Sequence, residues 1–284
     1  MLLGGLEVGG TKMVCAVTDE YGKVLDRGVF PTTVPKQNIP EMVEYFRQFE
    51  LQALGIGSFG PLDLRKGSAN YGAITRTPKP GWDYVNFYQE FKQALGIPVG
   101  IDTDVNAAIL GEVCFGAAQG LESAIYITVG TGIGVGAYIN GGLVHGLSHP
   151  EAGHLLLVKH PQDSYEGCCR FHGACFEGLA SGPALQKRWG RPAAELYDRP
   201  QVWELESYYI AQAITDYILI YAPQKIVLWG GVIHKPGLLD MVREQVQQNI
   251  NGYVELGENY IVEPALGENP GIIGAAQLGL RAME

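Results

Sequence analysis

The chain has 284 residues, 46 % apolar and 18 % charged, and its thirty acidic against twenty basic side chains leave a net charge of −10. That composition carries enough apolar surface for one large core or two modest ones. The acidic balance argues against a nucleic-acid or anionic-membrane binder, which would want a basic face. The opening "MLLGGLEVGG" has neither the basic region nor the long apolar run of a signal peptide. No stretch reaches the roughly 18 uninterrupted apolar residues of a membrane span. The expectation is a cytoplasmic protein with reduced thiols. Glycine, at 39 residues, is about twice its average usage, so many backbone positions need positive φ or a close approach.

In chain order, Leu2 to Val8 reads as a strand, followed by a glycine turn and a second strand from Met13 to Val17. After the turn Asp19-Glu20-Tyr21-Gly22 a third run covers Lys23 to Phe30, an antiparallel pattern. Apolar residues recur at helical spacing from Ile39 to Phe49. Ala53 to Phe59 and Ile97 to Asp102 read as buried strands, and a helix is predicted from about Val105 to Phe115. Near 123 the grammar restarts: Ala124 to Gly142 is again strand, glycine turn, strand and tight turn. A long amphipathic helix ("QVWELESYYIAQAITDYILIYA"), a buried strand ("KIVLWGG"), a further helix ("KPGLLDMVREQVQQNI") and a helical tail ("GIIGAAQLGLRAM") complete the chain. Two such hairpins in a glycine-rich chain are open to coincidence. Read as a repeat, they predict a duplicated fold of two mixed α/β domains, each with a glycine turn facing a shared cleft.

The turns are "EVGGTK", Glu7 to Lys12, and "VGTGIG", Val129 to Gly134. Neither has P-loop spacing, and neither fits a dinucleotide fingerprint, because a strand follows. As a pair they suggest two phosphate-cradling turns built from backbone amides. "IDTDVNAAILGE" places Asp102, Asp104 and Asn106 where a strand ends and a helix starts. Helix capping accounts for them, with Asp102 or Thr103 as the cap and Asp104 at the positive helix end. A general base at Asp104 accounts for them too, because a hydroxyl attacking a phosphoryl group needs an acceptor for its proton.

"HPEAGH" sets Glu151 three residues before His154, and fifteen residues later comes Cys169-x-x-His172-x-x-Cys175. This cysteine-rich stretch admits a disulfide, a reactive thiol or a metal. Reducing surroundings disfavour the disulfide. Two thiolates and two imidazoles make a closed, neutral tetrahedral set for Zn²⁺: His154, Cys169, His172 and Cys175. Cys168 is a bystander, since adjacent cysteines rarely point at one metal. Cys15 and Cys114 lie in apolar runs and read as core.

"EVGGTK", "DTDVNAA", "GTGIG", the Glu151 to His154 segment, the knuckle ending "GACFEG" and "WGG" near 230 together resemble the ROK family of repressors and sugar kinases, in the expected order along nearly the whole chain. "TPKPGW" (Thr77 to Trp82) and "CRFHGACFEGLASGPAL" resemble the bacterial fructokinases of that family. The resemblance implies the actin-like ATPase (ribonuclease H-like) fold: a smaller α/β domain over 1–117, a larger one over 118–269 with a zinc knuckle at 154–175, and a helix at about 270–284 packing back on the first. It implies that Asp104 is the catalytic base. It puts Asn106, Glu151, His154 and Glu177 on the sugar. Gly10, Thr11, Lys12, Thr131 and Gly132 would face the ATP phosphates, with Pro183, Gly230 and Gly231 flanking the nucleotide. Zn²⁺ on the knuckle, Mg²⁺ with the ATP and a homodimer are implied as well.

Three positions depart from the broader family pattern. Glu7 stands where aspartate is usual, Thr103 where sugar kinases often have asparagine, and His172 where many members carry a third cysteine. Thr103 and Lys79 should reshape the sugar pocket and tilt it towards a ketose. The expected activity is therefore phosphoryl transfer from ATP to the 6-hydroxyl of D-fructose. A hexokinase preferring mannose, glucose or an N-acetylhexosamine is the alternative. A sugar-sensing repressor of the same family would carry a helix-turn-helix ahead of Glu7, for which there is no room, and a non-catalytic binding protein would not need Asp104 beside two phosphate turns.

Overall fold

The computed structural model describes residues 1–77 and 79–284. The strands are β1 (Leu2–Val8), β2 (Lys12–Asp19), β3 (Val24–Pro31), β4 (Ala53–Ser58), β5 (Val99–Thr103), β6 (Ala124–Val129), β7 (Ile133–Ile139), β8 (Gly142–Leu143), β9 (Lys225–Trp229) and β10 (Ile261–Val262). The helices are α1 (Pro35–Arg47), α2 (Phe87–Leu95), α3 (Asp104–Phe115), α4 (Phe176–Ala180), α5 (Gly182–Trp189), α6 (Pro200–Tyr221), α7 (Leu238–Ile250) and α8 (Pro270–Arg281). They build two five-stranded mixed sheets, ordered β3-β2-β1-β4-β5 and β10-β9-β6-β7-β8. The chain divides into two compact units. The first holds Met1–Glu122, Gly136–Pro150 and Pro264–Glu284, and the second Ser123–Val135 and Glu151–Glu263.

In the first unit the strand patterns follow from position in the sheet. β3, at the edge, has only exposed and half-buried residues, whereas every residue of the inner strand β4 is buried. A parallel strand covered on both faces has no polar side to show, so its sequence, ALGIGS, is small and apolar throughout. One face is covered by α8 at very short range. Gly5, Gly55 and Gly100 lie in register across β1, β4 and β5. A β-carbon at any of them would run into a carbonyl oxygen of α8, that of Ile272, Ala275 or Leu278 respectively. The other face carries α1 and α2, with Phe46, Phe91 and Phe87 in edge and stacked contacts. Trp82, wholly buried, stacks on Phe87 at 5.5 Å and anchors the loop before α2.

The second unit is organised on α6, whose 22 residues include eleven buried ones. Tyr209 on this helix donates its hydroxyl to Asp163 at 2.6 Å, and Tyr217 donates to the Ala152 carbonyl at 2.7 Å. Both bonds pin the segment that carries the predicted knuckle. Arg188 of α5 is buried 3.2 Å from Asp163 and stacks over Tyr165 at 4.8 Å, so the carboxylate and the cation share one apolar site. Among the described residues, no helix is long and apolar enough to cross a membrane.

Candidate active site and metal centre

The first glycine turn is closed by the Gly9 amide donating to the Lys12 carbonyl at 3.1 Å, and the second by the Gly130 amide donating to the Gly132 carbonyl at 2.9 Å. The first lies between β1 and β2, the second between β6 and β7. Gly10, Thr11, Lys12 and Thr131 are exposed. A β-carbon at Gly10 would meet no described atom within 4 Å. An exposed glycine turn of this kind suits an anionic phosphate, which backbone amides can approach without side chains in the way. Thr32 fastens the first turn from outside, donating its hydroxyl to the Gly9 carbonyl at 2.8 Å. Lys79 Nζ also donates to the Gly10 carbonyl. The residue predicted for the sugar pocket therefore touches the first phosphate turn in this structure. Of the Thr77–Trp82 stretch, Pro78 lies outside the described residues.

The second turn has further neighbours from its own unit. Gly182, next to Pro183 at the start of α5, donates its amide to the Gly130 carbonyl at 2.8 Å, and the Val232 amide donates to Val129 at 3.0 Å. Gly230 adopts φ 112, where a β-carbon would strike the Val129 backbone, while Gly231 has open space. Thus Thr131, Gly132, Pro183, Gly230 and Gly231 converge on one turn. Glu177 Oε2 accepts the Ile133 amide at 3.1 Å, which ties this predicted sugar ligand to the end of the same turn.

At the start of α3 the cap is Thr103: its hydroxyl accepts the Asn106 amide at 3.1 Å. Asp104 follows in the first turn and bonds the Val105 amide at 2.9 Å. Asp102 does not cap. Its Oδ1 accepts from the Thr103 amide and from Asn106 Nδ2, both at 2.8 Å, and its Oδ2 lies 2.8 Å from His145 Nε2. Neither Asp102 as a network centre nor His145 is a candidate in the sequence reading. Their separation of 43 in sequence leaves no pattern to find. Glu7, at the end of β1, faces Gly271 at the start of α8. Burial raises its pKa, against the pull of Lys12 and Arg27.

The knuckle residues do come together. One ligand atom each from His154, Cys169, His172 and Cys175 lies within 4.8 Å of the others. His154 Nδ1 is 3.4 Å from Cys175 Sγ and 3.6 Å from Cys169 Sγ, and Cys169 Sγ is 3.7 Å from His172 Nδ1. Donors at about 2.0–2.3 Å from a tetrahedral Zn²⁺ stand roughly 3.3–3.8 Å apart. The donor set and its edges therefore fit zinc. Both imidazoles turn Nδ1 inward, so the predicted sugar role of His154 falls to Nε2. Burial first, then Cys169, pushes the Cys175 thiol up to about 12. A dication among the donors reverses that preference, since a coordinating thiol is deprotonated.

Local backbone geometry builds this arrangement. Cys169 and Gly173 exchange amide and carbonyl at 3.2 and 3.0 Å around a turn in which Gly173 has φ 58. Cys175 bridges to Leu156 and starts α4, while His154 ends a short 3₁₀ turn, Ala152–His154, behind Glu151. All five cysteines are free, and Cys168 is outside the ligand set.

Two α/β units, each with a glycine turn, and an acidic helix start are the frame of an actin-like ATPase. The chain belongs to the ROK family, whose profile matches residues 3–282. It is 42 % identical to a protein named fructokinase from Zymomonas mobilis subsp. mobilis, over 99 % of this chain and 97 % of that one. It is 41 % identical to a fructokinase from Lactococcus lactis subsp. cremoris, over 97 % and 94 %. The structure of the ROK hexokinase from Thermus thermophilus superposes with a TM-score of 0.84 at 30 % identity, covering 100 % of this chain and 99 % of that one.

Proposed function

We propose that this protein is an ATP-dependent fructokinase that transfers the γ-phosphoryl group of ATP to the 6-hydroxyl of D-fructose. The observation that carries the reading is the 41–42 % identity, over nearly the full length of both chains, to proteins named fructokinase. The glycine turns and the helix start at Thr103 supply the chemistry such a transfer needs.

In the proposed mechanism Gly10, Thr11, Lys12, Thr131 and Gly132 hold the phosphates, and Pro183, Gly230 and Gly231 flank the nucleotide. Asn106, Glu151, His154 through Nε2, and Glu177 bind sugar hydroxyls, with Thr103 and Lys79 shaping the pocket. The 6-oxygen attacks the γ-phosphorus in line, the bond to the β-phosphate oxygen breaks, and ADP leaves. Asp104 accepts the proton of the 6-hydroxyl. A weak base suffices because the bond to the leaving group is largely broken before the proton moves.

Mg²⁺ would be bound through the nucleotide phosphates and would neutralise their charge, with Glu7 the carboxylate beside the first turn. Zn²⁺ would be held by His154, Cys169, His172 and Cys175 as a brace that fixes the His154 ring and the start of α4 next to Glu177. The protein would act in the cytoplasm as a homodimer.

A second reading, a hexokinase of the family preferring mannose, glucose or an N-acetylhexosamine, is favoured by the 30 % identity to the Thermus thermophilus hexokinase. A panel of hexoses with ATP decides between them. The highest kcat/KM is expected for fructose, and a clear preference for an aldohexose overturns the fructokinase assignment.

A further inference from the structure

His145 follows β8 and has no part in the roles above. Its Nε2 lies 2.8 Å from Oδ2 of Asp102. Asp102 is buried at 4 % exposure, while the His145 side chain keeps 38 %. The other oxygen of Asp102 accepts the Thr103 amide and Asn106 Nδ2. One carboxylate thus joins the end of β5, the cap of α3 and the amide of Asn106. A buried carboxylate is costly without a partner of opposite charge or full hydrogen bonding, and His145 completes both.

We propose that His145 is a positioning residue for sugar binding, acting through Asp102 on the Asn106 amide and on the helix start that carries Asp104; the idea rests on the fructokinase reading. With His145 engaging Oδ2, Oδ1 stays turned towards Asn106 Nδ2. That bond sets the flip of the amide, so Asn106 offers the sugar its carbonyl oxygen, an acceptor for a hydroxyl. The same carboxylate restrains the Thr103 amide one residue before Asp104. Without His145 the carboxylate can rotate, and both restraints loosen together.

The groups facing His145 set its charge. The bond to Asp102 favours the imidazolium most, burial opposes it, the Leu143 backbone adds to it and Lys66 opposes it, leaving the pKa raised above 6.5. Tyr71, close enough to feel Asp102, has the pKa of its own hydroxyl raised by burial first and then by that carboxylate. A raised folded-state value means the clamp is complete at acidic pH and weakens as pH rises through it.

The test has two arms. In the first, His145 is titrated by NMR of histidine-labelled protein, assigned through His145→Gln, in wild type and in Asp102→Asn. The expected result is a pKa above 6.5 that falls in Asp102→Asn. A value at or below 6.5, unmoved by Asp102→Asn, overturns the clamp. In the second arm, His145→Phe is expected to raise KM for fructose about 10-fold or more, the scale of a hydrogen bond to a charged group, with a smaller fall in kcat as the Asp104 helix start loosens and the KM for ATP within about two-fold. His145→Gln, which keeps an N–H donor, should recover part of the loss and flatten the alkaline rise of KM seen in wild type. A folded His145→Phe protein with unchanged sugar KM overturns the proposal. If wild type fails to phosphorylate fructose, the fructokinase reading falls. The NMR arm needs no sugar and still decides the clamp, and the kinetic arm then uses the hexose that the panel selects.

Discussion

The Asp102 cluster and the cysteine-histidine knuckle gather polar side chains by opposite means. Around Asp102 every close contact is a donor against an acceptor at 2.8 Å, from Thr103, Asn106 and His145. The cluster is complete from the chain's own groups. In the knuckle, sulfur and nitrogen atoms that are all electron-pair donors face each other at 3.4–3.7 Å. Nothing among them supplies the positive centre, and burial keeps Cys175 a neutral thiol in its absence. The first cluster should therefore tolerate chelators, and the second should not. In the proposed roles the comparison also separates chemistry from bracing: the proposed base Asp104 sits two residues from Asp102, whereas a metal on the knuckle would hold the His154 ring directly and Glu177 only through the start of α4.

The largest effect is expected at Asp104. Asp104→Asn should lower kcat by about 10²–10⁴, the usual contribution of a positioned base, while fructose binding stays measurable and metal content is unchanged. Near-normal turnover would remove the base assignment. Next comes Cys175→Ser, which opens the tetrahedron. Elemental analysis of the wild-type protein should find one zinc per chain, and the variant markedly less. Fructose affinity should fall about 10-fold or more with the loosening of His154, and the His145 titration should stay where it was. A wild-type protein without zinc, or a chelator that leaves its melting temperature and sugar affinity untouched, would sink the contrast between the two clusters.

A third change touches neither cluster. Gly55→Ala would press a methyl group on the Ala275 carbonyl of α8, and overpacking of this kind costs about 1–3 kcal/mol. The urea midpoint should fall, with zinc content and KM for fructose preserved in the folded fraction. A neutral result would mean that α8 can shift off the sheet, and that the glycine row across β1, β4 and β5 is not needed for its approach.

How much of this the sequence reveals depends on the range of the interaction. The hairpins were legible because alternation and glycine turns are local. So was the knuckle, since Cys169, His172 and Cys175 share one short loop. Helix starts were less so. α1 begins at Pro35, where proline suits the first turn, four residues before the apolar spacing shows at Ile39. α2 was missed, although Asn86 caps it by accepting the Gln89 amide at 3.0 Å and Gly96 ends it at φ 68. Nine residues are too few for a clear period against the aromatic cluster around them. The second unit's α4 and α5 are short and meet at Ser181, which closes one and caps the other, so no run of helical spacing forms. The pairing of Asp102 with His145 and the return of 136–150 to the first unit are tertiary facts with no local trace.

The smallest effect tests how the helix start divides its work. Thr103 caps α3 through its hydroxyl, and losing such a cap costs about 1 kcal/mol. Thr103→Ala should lower stability by that amount, less if the Asp102 bond to the same residue's amide holds the turn. Thr103→Ser keeps the hydroxyl and removes only the methyl group, so its stability should match wild type. If Thr103 also shapes the pocket, the serine variant should nonetheless change the ratio of kcat/KM for fructose to that for glucose. A serine variant identical to wild type in both measurements, beside an alanine variant that loses only stability, would reduce Thr103 to a cap and leave the ketose preference to other residues, Lys79 first among them.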